Sequence, residues 1–491
     1  MILPRLLSAA ILSLCAAGVA SAQQAAGGRC DIELTAANDS SPLRLTTTTS
    51  TPNGPRNVFV GGRVAARCLN QDVRLLADSA EWYQQAQVLY LLGNVRYTEP
   101  RVRVSSNQMN YFQADERLLA TGNVEATLPS GSIMRGPQAT YYRAVKGVRP
   151  VAKLEAVQRP RLWLSQRDST GKQAEPVQIT ANQITTDNDS LVYAGGKVEI
   201  TRSDLDARSD SAFLDSGNEL ARLMISPVII GKGERGYTLR GKTVELYTRN
   251  RIVQRVLALA DARATSEDLL LTSDTIDLRV DNNKAQSAYI WGTSRARAVS
   301  PDRDLIADSL AVRMPNQQLR EVRAFRNAMA NTMPDTAKVR TGEKDWVKGD
   351  TIFAFFDSTA GRRARTPNDT TTAKPTLREL QSIGHASARY QVPAQGSTPE
   401  RPGINYSRGD KITVTMDSAG VSRVDIDEHA VGLFLEPIRD TTSVPPENEK
   451  IPPGTPSVPP VAPVTPAAVP ASTRPVAKPV AVPPRTSPVR P

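Results

Sequence analysis

The sequence predicts an all-β protein, an elongated repeat β-jelly roll in which two sheets form a V and about ten copies stack like a β-solenoid. Three observations predict it. A hairpin-sized unit recurs along the chain, its apolar residues keep one phase in every copy, and no helical period shows beyond the first 22 residues.

The unit is clearest at 106–128, SNQMNYFQADERLLATGNVEATL. Ser106-Asn107 forms a corner, after which Met109 and Tyr111 alternate with Gln108 and Asn110. A polar turn, Gln113-Ala114-Asp115-Glu116, reverses the chain, and a second arm leaves through Gly122-Asn123-Val124. Alternation on both sides of a short polar turn is the pattern of a hairpin with one buried face. A Gly-Asn step suits a bend that requires positive φ. Further corners fall at Ala77-Asp78, Gly136-Pro137, Ala181-Asn182, Ser209-Asp210, Gly241-Lys242, Ser273-Asp274, Ala307-Asp308, Gly349-Asp350 and Gly409-Asp410. Second arms recur at Gly93-Asn94-Val95, Gly195-Gly196-Lys197-Val198, Gly292-Thr293 and Gly384-His385-Ala386, with a half-copy, Gly61-Gly62-Arg63-Val64, ahead of the first. Units of this size bury their apolar faces only by stacking.

Phase fixes the register. Two places after each corner stand Ala80, Met109, Ala139, Ile184, Ala212, Val244, Ile276, Leu310, Ile352 and Ile412. Four places after stand Trp82, Tyr111, Tyr141, Thr186, Leu214, Leu246, Leu278, Val312, Ala354 and Val414. Only Thr186 is neither apolar nor aromatic. A slip of one residue would turn every one of these side chains to the other face.

Residues 1–22 read as a cleaved signal peptide: Arg5, an apolar run from Leu6 to Ala20, and the small residues Ala20 and Ala22 before Gln23. Lipidation at Cys15 is the competing reading, disfavoured by the bulk of Leu14. No other apolar run approaches the roughly 20 residues of a membrane helix. The expectation is therefore an exported, periplasmic chain, with the outer membrane as a place of association. Residues 23–57 read as a threonine-rich lead-in with at most one strand, around Leu43 and Leu45. The repeat spans 58–437, as one array or as two tandem units of about 58–235 and 236–437. Insertions at 144–150, 331–344, 358–375 and 393–403 read as exposed loops. Residues 438–491 read as a disordered, polyproline II-like tail, because 16 of the 36 prolines follow residue 440.

Export gives the cysteines meaning. Cys30 and Cys68 either pair, at about 3–4 kcal/mol for a loop of that size, or remain two inert thiols. The net charge of +11 loses +3 with the tail and +1 with Arg5, leaving a diffuse +7. That suits an anionic envelope partner and argues against nucleic acid.

Catalytic chemistry is missing from the pattern. There is no nucleophile elbow, phosphate loop or His-Glu-x-x-His helix. His385 and His429 occupy corner positions, and the recurring Asp residues suit turn capping. Asp204, Asp206 and Asp210 are a weak metal alternative. The expectation is no enzyme, no cofactor and no metal. The phase leaves two readings of the interior open. Closed sheets make an ordinary core, and splayed sheets make a trough for acyl chains, worth roughly 0.8 kcal/mol per buried methylene. The candidate trough residues are Met109, Tyr111, Ile184, Val244, Leu246, Ile276, Leu278, Leu310, Val312, Ile352, Ile412 and Val414.

The small-Asp-x-apolar-x-apolar motifs at 77, 273, 307 and 409, with Gly-Asn-Val at 93–95 and 122–124, resemble the OstA-like (organic solvent tolerance, LptA-type) family. The resemblance covers roughly 58–437. It implies a V-shaped jelly roll that shields the lipid A portion of lipopolysaccharide across the periplasm. It also implies partners in the inner and outer membranes, met through open sheet edges, and possible stacking of copies end to end. On this reading the chain is a lipid-binding bridge, and ten two-strand copies would rise roughly 95 Å at ~4.8 Å per strand. The alternative is a structural or adhesive envelope protein with a closed core and no lipid.

Overall fold

The computed structural model describes residues 28–36, 44–49, 54–69, 71–167, 173–232, 236–250, 252–266, 269–282, 284–334, 341–357, 375–392, 402–417 and 420–436. Residues 1–22, expected to be a signal peptide, and the proline-rich tail lie outside them. The described chain is all-β, with 28 strands and a single 3-10 turn at Pro315–Gln317. From Arg56–Cys68 onward the chain meanders, each strand lying antiparallel to the one before it, and bends once near the middle of each strand. Pairing breaks at Gly61/Val64, Leu76/Ser79, Leu92/Val95, Ser105/Gln108 and Thr121/Val124, and then onward to Ile383/Ala386. Among the described residues five bends interrupt the strand altogether, as between Lys153–Val157 and Arg161–Arg167.

Each bend has a local cause. Except at 292–295, one strand carries two residues in the left-handed region, such as Gly93-Asn94, Gly122-Asn123, Gly384-His385 or Glu428-His429. Except at Gly136-Pro137 and Gly241-Lys242, its neighbour carries the corner Asx. Asn94 Nδ2 donates to Asp78 at 2.7 Å, and Thr293 Oγ1 and the Ser294 amide donate to Asp274 at 2.7 and 3.0 Å. His385 and His429 lie 2.9 and 3.0 Å from Asp350 and Asp410. The corner dipeptides are thus the hinges of the fold.

Residues before a corner build one layer and residues after it the other. Their inner faces meet, as Tyr97 of one layer and Tyr141 of the other show, with ring centroids 6.1 Å apart. A single apolar core of mostly Val, Leu, Ile and Ala runs between the layers. Pairing continues across residue 235, since Val228–Gly231 pairs with Tyr237–Arg240. The repeat is one array and not two tandem units.

The lead-in departs from expectation. It contributes two strands, Ile32–Ala36 and Arg44–Thr49, which pair with the two arms of Arg56–Cys68. They complete the apparent half-copy as one more bent strand. Threonine-rich alternation is a weak strand signal unless a neighbour already offers a free ladder. Cys30 and Cys68 form a disulfide that ties this first strand down. The 144–150 insertion is not simply an exposed loop: Ala144 and Val145 are buried, and Val145 bridges to Arg149.

Candidate functional site: an apolar compartment between the layers

All twelve trough candidates point inward and are buried, at 0–7% exposure. Position two after a corner lies deepest: Met109, Ile184, Val244, Ile276, Ile352 and Ile412 are fully buried and Leu310 nearly so. Position four lies farther out, toward the mouth formed by the turns between strands. What the mouth contains differs along the stack.

In the N-terminal third the interior is filled. The two largest fully buried side chains, Tyr97 and Tyr111, lie here, with Leu89, Leu118, Met109 and Met134 buried in the same third. A polar cluster seals the mouth there. Arg143, 3% exposed, sits 2.6 Å from Glu116 and 3.2 Å from Glu99. Tyr97 donates to Glu99 at 2.7 Å, Tyr141 also donates to Glu99, and Tyr111 donates to Glu116. The Cys30 amide donates to the other Glu116 oxygen at 2.8 Å, so the disulfide-tied first strand is part of the seal. Burial, then the facing carboxylates, push the Tyr97, Tyr111 and Tyr141 hydroxyls well above their usual range. Burial opposes the Arg143 charge, but the surrounding hydroxyls and carboxylates outweigh it and hold the guanidinium protonated.

The middle of the stack holds a small gap of about 70 Å³, lined by Leu164, Val177, Leu214 and Leu246. In the C-terminal half the layers leave a compartment of about 610 Å³. One wall is Leu278, Val312, Val322 and Ala354, facing Ala264, Leu269, Leu271, Ala298, Leu305 and Ala330 of the other layer, with Met314, Leu319, Phe356, Leu377 and Leu380 toward the mouth. Leu269, Ala298, Met314, Leu319, Ala330 and Phe356 are only partly buried, as groove walls are. Ser300, Asp302, Arg303, Gln317, Asn331 and Thr376 form a polar rim. Asp304 on that rim accepts from Asn331 at 2.5 Å and lies within 3.7 Å of Arg297 and Lys344. Tyr237 closes one end, its hydroxyl pushed up to about 12 by burial and by Asp204.

The compartment has a cause in the sequence. Interior positions here are repeatedly alanine, including Ala264, Ala298, Ala330 and Ala354, while ladder hydrogen bonds hold neighbouring strands at a fixed ~4.8 Å. Small side chains on a rigid frame leave space that cannot collapse. Of the twelve candidates, Leu278 and Val312 line the compartment. Ile276, Leu310 and Ile352 lie beneath it, Met109, Tyr111 and Ile184 belong to the closed third, and Leu246 borders the small gap. Sequence reading missed the layer before the corners, where alternation also runs, and missed Met314 and Leu319 in the turn after Arg313 and Phe356 near the end of the strand Asp345–Asp357.

The weak metal alternative is not assembled. Asp204 pairs with Arg202 at 2.9 Å and Asp206 with Lys232 at 2.7 Å. On the outer face, Asp277 is covered by Arg255 at 2.9 Å and Arg279 at 3.1 Å. Compared with protein-family models and with curated proteins, the chain matches none.

Proposed function

We propose that the chain is an exported lipid-binding protein that shields the acyl chains of lipopolysaccharide, or of a related amphiphile, on the way to the outer membrane. The compartment of about 610 Å³ between the layers supports this reading. It is apolar inside, polar at the rim, and within the size range of pockets that take one small ligand. The OstA-like motifs support it independently, and partner proteins of either membrane would dock on open sheet edges. The sealed core at 75–184 favours a second reading, a structural envelope array without cargo.

The two readings separate in one measurement. Purified from its own envelope in mild detergent, the protein should carry near-stoichiometric acyl lipid, identified by mass spectrometry after organic extraction. A protein free of lipid, which also takes up none from lipopolysaccharide micelles, would leave the structural reading standing.

A further inference from the structure

The three parts of the interior differ too much for cargo to run the length of the stack. We propose that acyl cargo is held only in the C-terminal half, loading and leaving through the mouth around Ser300 and Leu319, and that the N-terminal third is a closed strut. This rests on the lipid reading and adds where the lipid sits and by which route it exchanges.

Three observations carry it. First, a chain threading past the first copies would have to displace Tyr97, Tyr111 and Tyr141 and part Arg143 from Glu99 and Glu116. Separating one member of a buried ion pair from its partners leaves an uncompensated charge, among the most destabilising events in a protein interior. Second, the gap of about 70 Å³ in the middle holds a few waters' worth of space and no acyl chain. It stands as a constriction between the closed third and the compartment. Third, alanines at 264, 298, 330 and 354 stand among the larger side chains of the compartment on a rigid ladder, so part of its width is built in.

The ligand class follows from the volume. About 610 Å³ takes the one or two chains of a single amphiphile and not a file of several. The head group stays outside, against the hydrogen-bonding rim of Ser300, Arg303, Gln317, Asn331 and Thr376. Loading and release then share one mouth, which makes the protein a holder that hands cargo over sideways and not a conduit from end to end.

Photo-crosslinking tests this on the full mature chain. A benzophenone amino acid is placed at Met314 or Phe356 on the compartment wall, and at Trp82 or Leu214 elsewhere in the interior. All four are only partly buried, so they tolerate the probe. With lipopolysaccharide in detergent micelles, capture at 314 and 356 should exceed capture at 82 and 214 at least tenfold. The double variant Ala298→Leu, Ala330→Leu fills the compartment and should cut capture at 356 at least tenfold while the urea midpoint holds or rises. Capture at 82 or 214 equal to that at 356 overturns the closed strut yet leaves the lipid reading intact. Absence of capture at all four positions overturns both, as does unchanged capture in the filled variant that keeps its fold.

Discussion

Gly122 shows how a single position sets a bend. Its φ is +78°, and a Cβ there would stand 2.8 Å from Asn107 Nδ2 and 3.0 Å from the Asn107 Cβ. Gly147 has nearly the same φ, +77°, but open space around it. Both carry the left-handed strain of about 1–2 kcal/mol for a residue with a side chain, and only Gly122 adds a clash with its corner Asx. Gly122→Ala should therefore lower stability in urea by about 1–2 kcal/mol more than Gly147→Ala. Equal losses would mean that the Asx does not police the bend. The corner Asx and the Gly-Asn step were each legible in the sequence because both recur, while their contact was not, since the separation runs from 14 residues at Asn182–Gly196 to 34 at Asp350–Gly384. The bends at Gln158-Arg159, Ile225-Ser226 and Ala260-Asp261 were not, since ordinary residues adopt the left-handed region there and leave no compositional trace.

At the level of strands and their turns, the seal around Arg143 joins elements that are far apart in sequence. Glu99 ends one strand, Glu116 sits in a turn, Arg143 follows Tyr142, and Cys30 precedes the first strand. Arg143→Met leaves two carboxylates buried beside each other and should cost about 3–5 kcal/mol, read as a fall in the urea midpoint. The tyrosines give the same cluster a pH signature. Their folded-state pKa values lie above the usual ~10, so the stability they add is present below that pH and is lost as pH rises past it. The folded protein should show phenolate absorbance from only part of its tyrosines, the rest appearing together with alkaline unfolding. Gradual titration of all twelve tyrosines in the folded state would contradict the seal. Nothing in the sequence pointed to this cluster, because its members occur singly and meet only when the layers close. The compartment was half legible. Period-two phase placed Leu278 and Val312 on the correct face, but periodicity reports which way a side chain points and not how much space it fills.

Across the whole array, the two ends differ in a way that bears on partners. The first strand, Ile32–Ala36 and Arg44–Thr49, is stapled by Cys30–Cys68 and presents Arg44 and a run of threonines. The last, Gly420–Asp427 and Val431–Leu435, pairs among the described residues only with Gly403–Asp417. There Val421, Val431, Leu433, Phe434 and Leu435 are all exposed, on both faces of the strand. An unpaired apolar edge is a template for another strand unless charge or proline blunts it. Neither blunts 431–435, whose sequence is VGLFL. The protein should therefore associate through its C-terminal edge, and Val431→Lys with Leu433→Lys should abolish this by setting charges along that edge. Sedimentation velocity across a hundredfold range of concentration reads it directly. The wild type should grow in mass with concentration while the lysine variant stays monomeric, and lipid capture at Phe356 should be unchanged because the edge is no part of the compartment. A wild type that is monomeric throughout, or a variant that associates as before, would show that the exposed edge is not used between copies and remains for a different chain.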